Sequence, residues 1–575
     1  MLYNLKNTWS IISKKNKNYF FLILILSLIT TLLEVLSIGI IIPVLSFILE
    51  PASLENFFFY PYLVNFIGIS NELVFTIYLI ILLILVFFSK NLFLSIFSWF
   101  QISFINDLKV ELSKKLYNIY LKLPYSFHLK NNSSILFRKI DYDISNVSMT
   151  VSKIITLIIE TLVFISVVIF LFIYEFQITL ICSFFIFLIG AIFYFSLKTK
   201  LKSWGAHRQF FAGEFLKSLF HGLHSIKDVK MLNREESFVV LLHQNLSQAV
   251  KFSKFELIIT TLTRYWLEFI SILGLGTLIC FMRFFDRSNN EIIITIGLFG
   301  AAIYRIAPSL NKILASVNSI QFLSSSVKII KEEFESVLKV PINSNNQVKS
   351  ISFLNYIKFR ELSFKFPKSA NYIFEKTDFT IKKNSITGIF GKSGSGKTTL
   401  INLVCGLIKP ETGYVLVDDK KYDFKANKYK LKIGYVSQST ALIDDTLEKN
   451  IAFGIPEKNI EKDNLNKCVK ISRINNFVET LPEGLKTTIG EKGTRLSGGQ
   501  QQRIGIARAL YSNPDLLIID EGTNSLDNKT EREILDEIKL LKKDLSIILV
   551  SHDMNLITSY SDHIFEVKNK KLKQK

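Results

Sequence analysis

The chain has 575 residues, more than one hydrophobic core usually supports, so two or more domains are expected. A mean hydropathy of +0.31 with 50 Phe excludes an ordinary soluble protein, while 21% charged residues exclude a chain buried wholly in lipid, so apolar and polar parts must be segregated along it. The net charge of +20 does not call for nucleic acid, because basic loops beside anionic lipid account for it; Cys182, Cys280, Cys405 and Cys468 show neither metal-ligand spacing nor a disulfide framework.

Apolar runs occur at 19–49, 72–105, 150–174, 177–198, 255–283 and 291–318. Each is long enough to cross a hydrocarbon core about 30 Å thick at about 1.5 Å per residue, which predicts six spans. The first run is too long for a signal peptide and no small-residue cleavage site follows it. Lys6, Lys14, Lys15 and Lys17 precede span one, and Lys109, Lys114, Lys115, Lys122, Lys130, Arg138 and Lys139 lie between spans two and three. These, with the basic segment between spans four and five, are expected on the cytoplasmic side, whereas Pro51 to Asn71 carries no Lys or Arg and is expected outside. Both termini are then cytoplasmic. The outer segment LENFFFYPYLVNFIGI, residues 54–69, reads either as an aromatic anchor or as an interfacial helix that meets a lipid carrier. Two long extensions, 106–148 and 199–254, are expected to continue the helices below the membrane and to carry short transverse helices near LPYSFHLKNNSSILF and HSIKDVKML.

Charged residues in the spans include Glu34, Lys90, Glu160, Arg264, Glu268, Arg305 and Lys312. Each costs about 2.5–3.5 kcal/mol at a helix centre facing lipid, so they must face a cavity or one another. Arg264 and Glu268 are spaced i, i+4 and suit a structural salt bridge as well as a lining role. Arg305 and Lys312 lie two turns apart on one face of span six, and their alternative to lining a cavity is pairing with Glu34 or Glu160 on other helices. Four cations against three anions make the interior net basic, and a two-fold axis doubles the difference. That suits a phosphate or pyrophosphate headgroup, which Arg grips with paired hydrogen bonds, and suits cationic drugs poorly.

From about Ser350 the texture changes to short apolar strands between polar helices, so the expected organisation is a membrane domain at 1–340, a linker at 341–350 and an α/β domain at 351–575. NSITGIFGKSGSGKTTLINLVCG reads as a strand, a Gly-rich turn and a helix. Gly391, Lys392, Ser393, Gly394, Ser395, Gly396, Lys397 and Thr398 fit G-x-x-x-x-G-K-[ST], with Thr399 following. The backbone amides wrap phosphates, Lys397 neutralises the β and γ groups, and Thr398 is a magnesium ligand. In DLLIIDE, Asp520 and Glu521 end an apolar strand, where Asp520 suits magnesium and Glu521 suits polarising an attacking water.

Between these motifs lies LSGGQQQRIGIARAL, residues 496–510. Here the chain resembles the ATP-binding cassette family along its whole length, in the arrangement of an exporter half-transporter. The resemblance implies an α-helical membrane domain of six long helices with the type I exporter (type IV) fold, followed by an α/β P-loop nucleotide-binding domain. It further implies that Ser497, Gly498, Gly499 and Gln500 of the signature meet the nucleotide of a second copy, so two ATP and Mg2+ are buried in a homodimer. By the same resemblance Gln438 in YVSQ senses the γ-phosphate and the metal, Asp527 belongs to the D-loop, His552 in VSHD is the switch that positions water for Glu521, and Phe366 stacks on adenine. Three departures stand out: Gly522 where the family often has Ala or Pro, Asp553 where Arg is common, and Phe366 for the usual tyrosine.

LEVLSIGIIIPVLSFI, TRYWLEFI and YRIAPSLNKI look like the lipid-linked oligosaccharide flippases of bacterial protein glycosylation and surface glycan pathways. The resemblance implies that Lys90, Arg264, Arg305 and Lys312 handle the pyrophosphate of a polyprenyl carrier at the bacterial inner membrane. Lys90 and Lys312 stand where Arg is expected and cannot make a bidentate contact. The alternative is export of another lipid, a peptide or a hydrophobic compound.

Overall fold

The computed structural model describes residues 2–40, 72–284, 289–338, 349–366, 369–422, 429–490, 496–522 and 527–575. The segment 54–69 and most of 341–350 therefore lie outside the described residues. The chain separates into one unit of Met1–Leu123 with His128–Ile342, and another of Pro124–Phe127 with Asn343–Lys575.

In the first unit, the described apolar runs all become helix. The elements are α1 (Leu2–Ile11), α2 (Lys14–Gly39), α3 (Glu72–Lys122), α4 (Tyr125–Lys130, whose first half falls in the second unit), α5 (Ser133–Arg138), α6 (Ile144–Tyr174), α7 (Phe176–His224), α8 (Ile226–Met231), α9 (Glu235–Phe284), α10 (Asn289–Phe322) and α11 (Ser324–Leu338). Among the described residues four helical stretches are long and apolar enough to cross a membrane: Lys14–Ser37, Ile77–Lys122, Ser133–Tyr174 and Glu235–Phe284. The bent pair Thr295–Phe322 and Ser324–Ser336, meeting at 48°, makes a fifth. The expected span at 177–198 runs inside α7. The short helices α4 and α8 fall where transverse helices are expected.

Wide apolar faces hold the bundle together. Val163, Val167 and Leu171 of α6 pack with Leu278 and Met282 of α9 and with Leu298, Phe299, Ala302 and Ile306 of α10, all of them buried. Toward the far end of the unit the packing turns polar. A single π-helical turn, Lys139–Asp143, delivers the Asp143 carboxylate to a site with no solvent exposure. Arg138 lies 3.3 Å from it, and Gln209 Nε2 and Ser326 Oγ donate to it at 2.8 and 3.0 Å. Helices α5, α7 and α11 thus share one carboxylate. Gly205 permits α7 to approach this closely, because an added Cβ would overlap the Phe322 carbonyl.

The second unit is a layered α/β domain. Its strands are β1 (Lys349–Ile351), β2 (Tyr356–Phe364), β3 (Phe374–Lys382), β4 (Ile386–Phe390), β5 (Thr412–Val417), β6 (Lys420–Tyr422), β7 (Tyr429–Leu431), β8 (Ile433–Val436), β9 (Leu516–Asp520), β10 (Ser546–Val550), β11 (His563–Lys568) and β12 (Lys571–Gln574). The main sheet has the order β12-β11-β4-β10-β9-β8, beside an antiparallel sheet β3-β2-β5-β6. Strands β9 and β10 are buried at every residue, as parallel strands covered on both faces require, which is why LLIID and SIILV read as unbroken apolar runs. The register pairs Val550 with both Ile389 and Asp520, and Val436 with Ile519. The carboxyl ends of four neighbouring strands therefore finish level, and the loops that leave them converge.

Asp143→Ala leaves the Arg138 guanidinium buried without its anion, so a stability loss of about 3–5 kcal/mol is expected. Thermal unfolding in detergent, with exposed Asp107→Ala as the control, reads it directly.

Candidate functional site

Strand β4 ends at Phe390, and the loop that follows turns through Gly394 at φ 75° and Gly396 at φ 105°, both left-handed and suited to glycine. Gly396 is also required by space, since a Cβ there would lie 2.7 Å from Ile373 Cγ2. Helix α12 (Lys397–Val404) starts at once, so its free amides and those of the loop point into one cradle. The Ser395 hydroxyl is buried at this loop and has no hydrogen-bond partner among the described residues, a donor well suited to a phosphate oxygen.

Lys397 is buried, and its ammonium donates to the carbonyls of Gly391 at 3.0 Å and Lys392 at 3.4 Å. It also stands 3.5 Å from Glu521 Oε1, whose other oxygen accepts from Gln438 Nε2 at 3.0 Å. Glu521 has a left-handed φ of 49°, an unfavourable conformation for a non-glycine residue held at the end of β9 by its surroundings. Asp520 before it is buried, and Tyr435 Oη donates to its Oδ2 at 3.2 Å. Burial pushes the Asp520 carboxyl above its ordinary range, the Tyr435 hydrogen bond opposes this, and the Glu521 charge adds to it. His552 is exposed two residues beyond the end of β10, whose last residue Val550 pairs with Asp520. The motif residues Gly391 to Thr399, Gln438, Asp520, Glu521 and His552 are thus gathered at one sheet edge.

The signature residues make their hydrogen bonds with each other. Ser497 caps helix α13 (Gly498–Tyr511) in a capping box: its amide donates to Gln500 Oε1 at 2.8 Å, and the Gln500 amide donates to Ser497 Oγ at 3.3 Å. Gln500 is therefore tied back into the cap, and the amides of Gly498 and Gly499 are left at an open helix entrance. Asp527 caps helix α14 (Asn528–Leu540), accepting from the Thr530 amide at 3.0 Å, and that bond holds its carboxyl below the usual range. Phe366 is 41% exposed and meets Phe364 edge-on at 5.2 Å, leaving a ring face available for stacking.

Two departures from the family pattern have local explanations. A Cβ at Gly522 would come within 2.6 Å of Val436 Cγ1, so glycine suits the packing beneath Glu521. Asp553 caps helix α15 (Met554–Tyr560), accepting from the Asn555 amide at 2.8 Å. Tyr435 escaped the sequence reading; its signal was a phenol in an apolar strand three residues before Gln438.

Thr398, Gln438 and Asp520 supply only oxygen donors, the set a hard cation such as magnesium prefers. Among the described residues no group of three or more His, Cys, Asp or Glu is assembled, so a cation here would need phosphate oxygens to complete its shell. The set fits a nucleotide-borne magnesium ion.

In the membrane unit three of the four expected cations meet. Lys90 Nζ lies 3.5 Å from Glu34, Arg305 Nε lies 2.9 Å from Glu34, and Lys312 Nζ lies 2.6 Å from Glu160. Arg305 also reaches Glu160 at 3.7 Å, and Ser309 Oγ donates to Glu160 at 2.7 Å. Ser309 was missed in the sequence, although it lies on the same face as Arg305, four residues on. Arg264 stands apart from this cluster and pairs with Glu268 at 3.0 Å, both exposed.

Residues 20–299 match the ABC transporter transmembrane region, and residues 374–524 match the model described as ABC transporter. The chain belongs to the ABC transporters. Its second unit carries the family's ATP-hydrolysing domain, fused to the membrane domain in one chain. The ATP-dependent lipid A-core flippase of Coxiella burnetii (strain RSA 493 / Nine Mile phase I) is 27% identical over 502 residues, 85% of this chain and 82% of that protein. That of Bordetella avium (strain 197N) is 29% identical over 266 residues, and the match spans about half of that relative, 45% of its length, and 46% of this chain. The fold is that of a bacterial Atm1-family ABC exporter with ATP bound, at a TM-score of 0.75 and 19% identity over 98% of this chain and 95% of that one.

Glu521→Gln keeps the Gln438 contact and removes the charge. ATP binding is expected to persist while hydrolysis falls by about 10²–10³, read by nucleotide binding and phosphate release on the same preparation. Gly522→Ala is expected to cost about 1–3 kcal/mol through its collision with Val436, and Val436→Ala restores the loss.

Proposed function

We propose that this ABC transporter is an ATP-driven flippase that carries a polyprenyl-pyrophosphate-linked oligosaccharide across the bacterial inner membrane as a homodimer with cytoplasmic termini. The observation that carries the reading is the cluster of Lys90, Arg305 and Lys312, paired with the buried carboxylates Glu34 and Glu160 among the helices of a largely apolar bundle and exposed at Lys312. Intramembrane cations at such cost mark a substrate path, and their excess over Glu34 and Glu160 leaves one positive charge per chain for an anion. The lipid A-core flippases to which the chain is similar are named for a lipid cargo, which agrees with a lipid-borne headgroup.

In the nucleotide domain the loop amides and Lys397 hold the β and γ phosphates, and Ser497 with the glycine amides of a second copy closes over the same nucleotide. Glu521 accepts a proton from the attacking water, Gln438 orients Glu521, and His552 holds the γ-phosphate side. Magnesium, when bound by Thr398, Gln438 and Asp520, neutralises charge on the phosphates. Phe366 stacks on the base. ATP binding closes the paired domains and hydrolysis resets them, while the headgroup passes the basic cluster and the lipid tail stays at the membrane.

The test places purified protein in liposomes with a fluorescent polyprenyl-pyrophosphate oligosaccharide. Transfer should require ATP, vanish in Glu521→Gln and fall about tenfold in Arg305→Ala, the worth of one charge-assisted contact. Loss of ATP binding in Arg305→Ala counts against the headgroup role. ATPase stimulation by hydrophobic cations, with no lipid transfer, supports the alternative, export of a hydrophobic compound.

A further inference from the structure

Each of the four candidate cations already has a carboxylate beside it: Lys90 and Arg305 have Glu34, Lys312 has Glu160, and Arg264 has Glu268. The most occupied of these carboxylates is Glu160 on α6, 5% exposed. It faces a row of donors on α10. Arg305, Ser309 and Lys312 are spaced i, i+4 and i+7, which places them on one helical face. Lys312 Nζ is 2.6 Å from Glu160 Oε1, Ser309 Oγ donates to Oε2 at 2.7 Å, and Arg305 Nη1 is 3.7 Å from Oε2 and donates to Ser309 Oγ at 3.2 Å. A guanidinium, a hydroxyl and an ammonium along one face are what a phosphate group takes from a protein.

The two ends of the row differ. Arg305 is anchored further by Glu34 at 2.9 Å, and its side chain is 20% exposed. The Lys312 side chain is 53% exposed, so the row is open at that end. An incoming anion therefore meets Lys312 first and must take it, then Ser309 and Arg305, from Glu160.

We infer that Glu160 is the resident anion of the headgroup site and sets its charge selectivity: it occupies Arg305, Ser309 and Lys312 until a headgroup of higher negative charge displaces it. The inference rests on the flippase reading above. A headgroup with a single negative charge only replaces the attraction that Glu160 already provides and gains little by the exchange. A pyrophosphate brings more charge and more acceptor oxygens to the same donors, so it gains from the exchange even after the carboxylate is released. The same carboxylate gives Lys312 its countercharge, while Arg305 keeps Glu34 as a second partner.

The experiment measures binding of a sugar-linked polyprenyl pyrophosphate, with two negative charges, and of the matching sugar-linked polyprenyl monophosphate, a phosphodiester with one, to the full-length protein in nanodiscs at neutral pH. The wild type should prefer the pyrophosphate. Glu160→Gln, which keeps the shape and loses the charge, should bind both lipids more tightly. The monophosphate should gain about tenfold more than the pyrophosphate, so that the preference narrows. Glu160→Asp withdraws the carboxylate by one methylene and should give an intermediate preference; it stands in if the glutamine variant is not monodisperse. An unchanged preference or weaker pyrophosphate binding in Glu160→Gln, with a wild type that does discriminate, overturns the role of Glu160 and leaves the flippase reading standing. A wild type that binds neither lipid overturns the flippase reading and this inference with it.

Discussion

A charge placed inside an apolar helix bundle must be neutralised where it stands, and the membrane unit is organised around that requirement. Glu34 on α2 serves Lys90 on α3 and Arg305 on α10, while Glu160 on α6 serves Arg305 and Lys312 on α10. Four helices are thereby tied through two carboxylates. Apolar ridges such as those of Val163, Leu278 and Ala302 tolerate small shifts along the helix axis, but an ion pair at 2.6–2.9 Å does not. The charges thus fix which residues of α10 face inward. Their uneven count leaves the interior with a residual positive charge.

The nucleotide domain meets the same requirement by different means. Lys397 and Glu521 stand 3.5 Å apart at the carboxyl edge of the main sheet, and backbone carbonyls and Gln438 complete their shells. Both groups are held in position by interactions that a phosphate or a water can replace. The buried parallel strands β4, β9 and β10 make this precise, because their register decides where the motif residues that follow them begin. Preorganised polar groups in a partly dry edge act without having to reorient during the reaction.

Legibility in the sequence followed the range of the interaction. The P-loop and the acidic strand end are local, so strand, turn and helix signals within about ten residues suffice to read them. Arg264 and Glu268 are likewise readable, since four residues make one helical step. The partners of Lys312 and Lys90 lie 152 and 56 residues away in the chain. The sequence offers Glu34 and Glu160 as partners for Arg305 and Lys312, and the structure shows that pairing, but the sequence does not say which carboxylate each cation takes or that Lys90 shares Glu34. The Asp143 site was invisible for the same reason: Gln209 and Ser326 are 66 and 183 residues distant. Asp553 and Gly522 looked like departures from a pattern, and only packing shows one to be a cap and the other a fit against Val436.

Helices α3, α7 and α9 run for 51, 49 and 50 residues without a break. At about 1.5 Å per residue each is roughly 75 Å long, more than twice the hydrocarbon thickness. A rod of that length is a lever. About any pivot within the bundle, a tilt of about 10° carries an end about 40 Å away through roughly 7 Å, so a displacement too small to break an apolar contact at the pivot exceeds a full helical turn at the tip. Stiffness here is a matter of arithmetic: an unbroken hydrogen-bonded helix keeps that leverage, and a proline or glycine pair placed midway along α9 would spend it in bending.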